Sequence, residues 1–199
     1  MIPPEDALKV ILEVVRVLED LQVPYAVGGS LASSMRGIPR STQDGDLVAD
    51  LRVEHIQPFV AAIAQTFYVS PERVLQAVQR RSSFNVVHLK TAIKVDIFVL
   101  SRDPLSLQEM ARRQVLPFPG EPGTTIHVAS AEDTVLQKLL WYRKGNMVSE
   151  RQWNDILGVL KVQGPRLDFD YLKEWADRIG VDDLLRQACD DAGVRLETL

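Results

Sequence analysis

At 199 residues the chain is long enough to bury a full hydrophobic core, and it suits one domain or one core with a small helical appendage. With 46% hydrophobic and 25% charged residues and a net charge of −4, it has no basic excess of the kind that coats nucleic acid. The single cysteine, Cys189, excludes an intrachain disulfide, and neither a secretory signal nor an apolar run of about 20 residues is present, so a soluble, cytoplasmic protein with no membrane partner is expected.

Pro3-Pro4-Glu5-Asp6 makes a good helix start, and Leu8, Ile11, Leu12, Val15, Leu18 and Leu21 then recur at helical spacing until Pro24. Tyr25-Ala26-Val27 reads as a short buried strand leading into Gly28-Gly29, and Ser30 is placed to cap a short helix through Met35. Gly37 and Pro39 break that helix, and a strand is expected around Asp46–Ala49. Ile56–Phe67 looks helical, and Pro71 opens another helix to about Val78. Phe84–Leu89 and Ile93–Leu100 suggest a hairpin, and in the second run Asp96 alternates against Val95, Ile97 and Val99. Asp96 therefore lies on the face opposite the aliphatic stripe.

Pro104–Arg113 should be helical, and Pro117 to Gly123 should form a loop before a short strand near Thr125–Val128. Ser130-Ala131-Glu132-Asp133 resembles a capping box. Helices follow at about 131–144, 149–162, 168–178 and 181–191, separated by Gly145, Gly164-Pro165 and Gly180. The organisation is an α/β (α+β) core over 1–129 and a helical C-terminal subdomain over 130–199. Trp141, Trp153 and Trp175 read as packing residues of that helical part, and His55, His88 and His127 lie too far apart in sequence for a zinc site.

Two short motifs carry the chemistry. Gly28-Gly29-Ser30 follows a strand, where a glycine turn lets backbone N–H groups approach a phosphate, though such turns also occur as plain connections. After a spacer of thirteen residues come Asp44 and Asp46, separated by Gly45; alternate carboxylates on a strand share one face and can share a divalent cation, while Asp-Gly is also an ordinary turn signal.

Together, Val27-Gly28-Gly29-Ser30, the thirteen-residue spacer, Asp44-Gly45-Asp46-Leu47 and Lys94-Val95-Asp96-Ile97-Phe98 resemble the DNA polymerase beta-like nucleotidyltransferase superfamily over roughly residues 6–100. Arg40 and Thr42 match the approach to the acidic pair. Ala129 to Asp133, Lys138-Leu139-Leu140, Arg151 and Asp155-Ile156-Leu157 look like the branch that contains AbiEii-type toxins and their relatives.

The resemblance implies a nucleotidyltransferase fold: a small mixed sheet flanked by helices, followed by the helical subdomain. It implies Asp44, Asp46 and Asp96 as catalytic residues and ligands of Mg²⁺, or of Mn²⁺, and Gly28, Gly29, Ser30, Arg40, Thr42 and Lys138 as nucleotide contacts. Lys138 reads equally well as a solvated helix lysine. The implied partners are a nucleoside triphosphate, an acceptor that is a tRNA, a protein or a small molecule, and a cognate antitoxin. Gly45 departs from the pattern, which places an aliphatic packing residue there. A glycine loosens a strand by roughly 0.5–1 kcal/mol relative to alanine. Two readings therefore stand: a metal-dependent nucleotidyltransferase, or an inactive relative that binds a nucleotide or a partner.

Overall fold

The computed structural model describes residues 5–42 and 44–195, so the helix start at Pro3-Pro4, the residue Gln43 and the last four positions lie outside the described residues. Its contacts divide the chain into two units: a core unit running through Leu31 and again over Arg40–Ala129, and a helical unit made of Ala32–Pro39 with the chain from Ser130 onward. The segment Ala32–Pro39, which the sequence reading places in the core, thus groups with the helical unit.

In the core unit α1 (Glu5–Asp20) buries Ile11, Val14, Val15 and Leu18, as its helical periodicity demands. Among the described residues, seven strands make one mixed sheet: β1 (Tyr25–Val27), β2 (Gly45–Ala49), β3 (Phe67–Tyr68), β4 (Ser83–His88), β5 (Lys94–Val99), β6 (Gln114–Pro117) and β7 (Thr125–Val128). Their order is β3-β4-β5-β2-β1-β7-β6. β2 runs parallel to β5 and β1 parallel to β7, while the remaining neighbours are antiparallel. The hairpin expected from Phe84 to Leu100 is β4–β5.

Two strands were not expected. Phe67–Tyr68 is β3, so the helix read as Ile56–Phe67 is α3 (Val53–Ile63) and ends sooner. Gln114–Pro117 is β6, an outermost strand, where Pro117 removes no hydrogen bond from the interior of the sheet. Helices α4 (Pro71–Arg80) and α5 (Pro104–Arg112) begin as prolines at their first positions dictate, with the Ser70 and Asp103 side chains accepting from the Arg73 and Ser106 amides. Phe59 of α3 meets Phe84 of β4 edge-to-face, with ring centroids 5.9 Å apart.

Helix α2 (Gly29–Arg36) starts in the core unit and continues into the helical one. The helical unit contains α6 (Ala131–Lys144), α7 (Glu150–Gln163), a 3₁₀ turn at Gly164–Arg166, α8 (Phe169–Arg178) and α9 (Asp182–Ala192). The Ser130 hydroxyl accepts from the Asp133 amide, the cap the sequence predicts, and the buried Asp133 carboxylate also accepts from Tyr171 Oη at 2.6 Å. The Lys138 ammonium is buried 2.6 Å from Asp155 Oδ2, so neither member is the solvated surface residue its helical setting suggests. Burial lowers the pKa of Arg36, an effect opposed by the neighbouring Glu132 and Asp133 carboxylates. Trp175 is buried and the Trp153 indole donates to Asp191, whereas Trp141 is 49% exposed and thus not a core residue. Burial also pushes the Cys189 thiol up to about 11, which keeps it protonated and unreactive. Among the described residues no helix is long and apolar enough to cross a membrane.

The Lys138–Asp155 pair gives a stability prediction. Asp155→Ala strands a buried ammonium and should cost about 3–5 kcal/mol, whereas Glu174→Ala, which breaks the exposed pair with Arg178, should cost at most about 1 kcal/mol. Urea denaturation of both variants measures the difference.

Candidate active site

Strand register brings the carboxylates together. The parallel pairing of β2 with β5 sets Asp46 opposite Asp96. Gly45, Leu47, Ala49, Val95, Ile97 and Val99 occupy the buried face of the two strands, so Asp46 and Asp96 share the other, half-buried face. The same register, continued one residue before the start of β2, sets the exposed Asp44 level with Lys94, the first residue of β5.

The glycine turn lies directly against this pair. The Gly28 amide donates to the Asp46 carbonyl at 2.9 Å, extending the β1–β2 ladder by one step. Gly29 has φ +55°, in the left-handed region, and a Cβ there would fall 1.9 Å from Asp46 Oδ2. The Asp46 carboxylate therefore occupies the space that a side chain at position 29 would take. Helix α2 begins at Gly29, which puts Ser30 in the first turn and not at the cap position expected for it. Ser30 Oγ accepts from Arg40 Nη2 at 2.6 Å, and the buried Thr42 donates its hydroxyl to the Asp44 carbonyl at 3.3 Å. Arg40 and Thr42 thus fasten the approach to the acidic pair, Arg40 by tying it back to the glycine turn.

Gly45 has a use that the sequence did not reveal. A Cβ on it would lie 2.5 Å from Ile11 Cγ1 and 2.9 Å from Ile11 Cδ1, and Ile11 is fully buried. The packing anchor missing at position 45 is supplied from α1, so the glycine leaves no void beneath the carboxylates.

Lys94, which the sequence presents only as the residue that opens the Lys94-Val95-Asp96 run, is part of the cluster. Its Nζ lies 2.6 Å from Asp96 Oδ2. The hydrogen bond to Asp96, together with the charges of Asp96, Asp44 and Asp46, raises the lysine pKa against the opposing effect of burial. The i,i+2 spacing of Lys94 and Asp96 on a strand is the sequence signal for this contact. Among the described residues, no three carboxylate, imidazole or thiol groups converge tightly enough as they stand to hold a metal ion. The donor chemistry nonetheless suits a hard divalent cation, with two carboxylates in register and a third two residues away.

The core unit therefore holds Gly28, Gly29, Ser30, Arg40, Thr42, Asp44, Asp46 and Asp96, whereas Lys138 belongs to the helical unit and pairs with Asp155. The histidines serve local contacts: His55 accepts from the Arg52 amide, His88 meets Thr91, and His127 packs edge-on against Tyr25.

No protein-family model and no curated protein matches the sequence. Solved structures do match. An antigenic nucleotidyltransferase-like protein from Paracoccidioides brasiliensis is 19% identical with a TM-score of 0.60, covering 94% of this chain and 92% of its own. The antibiotic-resistance factor ANT(2'')-Ia is 12% identical with a TM-score of 0.58, over 90% of this chain and 96% of its own. The lincosamide antibiotic adenylyltransferase LnuA, with lincomycin bound, is 14% identical with a TM-score of 0.52, over 81% and 99%. The chain has the nucleotidyltransferase fold.

Two glycine substitutions test the geometry. Gly29→Ala should cost about 1–3 kcal/mol by colliding with Asp46 in a strained backbone, and a denaturation midpoint equal to wild type would refute that contact. Gly45→Ala and Ile11→Ala should each destabilise, by about 1–3 and 2–5 kcal/mol, because one overfills and the other empties the same space. In a double-mutant cycle the pair should lose less than the sum of the two, with a coupling of about 0.5–3 kcal/mol.

Proposed function

We propose that this chain transfers a nucleoside monophosphate from a nucleoside triphosphate to a hydroxyl-bearing acceptor, with Asp44, Asp46 and Asp96 holding Mg²⁺ or Mn²⁺. The observation that carries this reading is the placement of Asp46 beside Asp96 and directly against the Gly28-Gly29 turn. When bound, the cation supplies charge neutralisation at the phosphates and a lower pKa at the acceptor hydroxyl.

The chain's own residues divide the remaining work. The N-terminus of α2, which begins at Gly29, presents the positive end of the helix dipole, which suits it to phosphate oxygens. Arg40, held on Ser30, adds positive charge beside that turn. Asp96 accepts the proton of the acceptor hydroxyl as general base. The acceptor oxygen then bonds to the α-phosphorus while the bond to the leaving pyrophosphate breaks in line. Lys138, buried against Asp155, is assigned to the stability of the helical unit and not to the phosphates.

For the acceptor, we infer a small molecule carrying a hydroxyl. The net charge of −4 gives no support for a large RNA substrate, and the structures similar in fold include an antibiotic adenylyltransferase and an antibiotic-resistance factor.

The test is transfer from α-labelled nucleoside triphosphates, with Mg²⁺ or Mn²⁺, to a panel of aminoglycosides and lincosamides, to tRNA and to protein. Label should appear on a small-molecule hydroxyl together with released pyrophosphate. Asp44→Asn, Asp46→Asn and Asp96→Asn should each reduce transfer by at least about a hundredfold. Label on tRNA or protein would redirect the acceptor class. Nucleotide binding without pyrophosphate release would favour the binding-module alternative.

A further inference from the structure

Lys94 lies inside the acidic cluster, and nothing in the reaction described above uses it. On the open face of the sheet it stands one alternation from Asp96 along β5 and level with Asp44 across the β2–β5 ladder. Its ammonium is 2.6 Å from Asp96 Oδ2 and within electrostatic reach of Asp44 and Asp46. The ammonium thus pairs with Asp96 and also feels the charges of the other two carboxylates. Asp46 and Asp96 also stand directly opposite each other on neighbouring strands, where like charges repel. The Lys94 side chain is 42% exposed and flexible, so it can leave Asp96 without disturbing the buried face of β5.

Resting on the reading of the site given above, we propose that Lys94 is a resident counter-cation of the acidic cluster, which a divalent cation must displace from Asp96 in order to bind. The lysine offsets the repulsion between the carboxylates and at the same time weakens the site for a cation arriving alone. A cation arriving with a nucleoside triphosphate is a different case, because the displaced ammonium gains an anionic partner in the phosphates. Lys94 is therefore a positioning residue that couples cation binding to nucleotide binding.

Mn²⁺ titration followed by electron paramagnetic resonance, with and without a non-hydrolysable nucleoside triphosphate analogue, tests this without any turnover. Lys94→Gln should bind Mn²⁺ alone about tenfold more tightly than wild type, and the analogue should tighten Mn²⁺ binding less in the variant than in wild type. Lys94→Arg keeps the charge, so its affinity for Mn²⁺ alone should stay within about threefold of wild type, and it guards against a folding defect in the neutral variant. Equal Mn²⁺ affinity in wild type and Lys94→Gln would overturn the proposal while leaving the metal site intact. A gain in Lys94→Arg as large as in Lys94→Gln would overturn it as well. Absence of Mn²⁺ binding in all three proteins would overturn the metal-site reading itself, and the role of Lys94 with it.

Discussion

The parallel register of β2 and β5 is the constraint on which the rest of the site depends. It is fixed by burial: Leu47, Ala49, Val95, Ile97 and Val99 are all withdrawn from solvent on one face. A slip of β5 by one residue would turn Val95, Ile97 and Val99 outward and carry Asp96 into the core, at a cost no surface contact could offset. The hydrophobic effect on one face of the sheet therefore decides which charged groups meet on the other. Asp46 meets Asp96, and Asp44 comes level with Lys94, on the face that the aliphatic stripe leaves open.

Two glycines then fit Asp46 between its neighbours. Gly29 leaves room on one side for the carboxylate itself. Gly45, on the strand beside it, leaves room on the other face for Ile11 of α1. Neither position would accept a side chain without displacing something, and in both cases the neighbour is part of the site or of its support. The departure from the family pattern at position 45 is in this sense an exchange. The strand gives up its own packing side chain, and the first helix provides one in its place. The acidic pair consequently rests on a filled core.

Much of this was legible in the sequence because it is local. Period-two alternation in Val95–Val99 foretold the face of Asp96, and proline and serine signals placed the starts of α4 and α6. What escaped depends on contacts distant in the chain. Phe67 continues the apolar spacing of α3 and is claimed for β3 only by its pairing with His88. Gln114–Pro117 carries no strand signal and becomes β6 by pairing with β7. Ile11 looks like any other apolar helix residue until Gly45 is brought against it. Lys138 and Asp155 are seventeen residues apart on different helices, and only packing shows that they form a buried pair. Among the site residues, the glycines and the three aspartates were legible from motif spacing, whereas the bracing contacts of Arg40 and the place of Lys94 required the fold.

The central claim is that Asp44, Asp46 and Asp96 form one cation site facing the Gly28-Gly29-Ser30 turn. The most direct measurement is a crystal structure of the protein with Mn²⁺ and a non-hydrolysable nucleoside triphosphate analogue, using anomalous scattering to locate the metal. The account predicts an anomalous peak in contact with carboxylate oxygens of Asp46 and of at least one of Asp44 and Asp96, the phosphates against the first turn of α2, and the Lys94 ammonium parted from Asp96. Ordered nucleotide and Mn²⁺ bound elsewhere, with the Lys94–Asp96 pair intact, would contradict it.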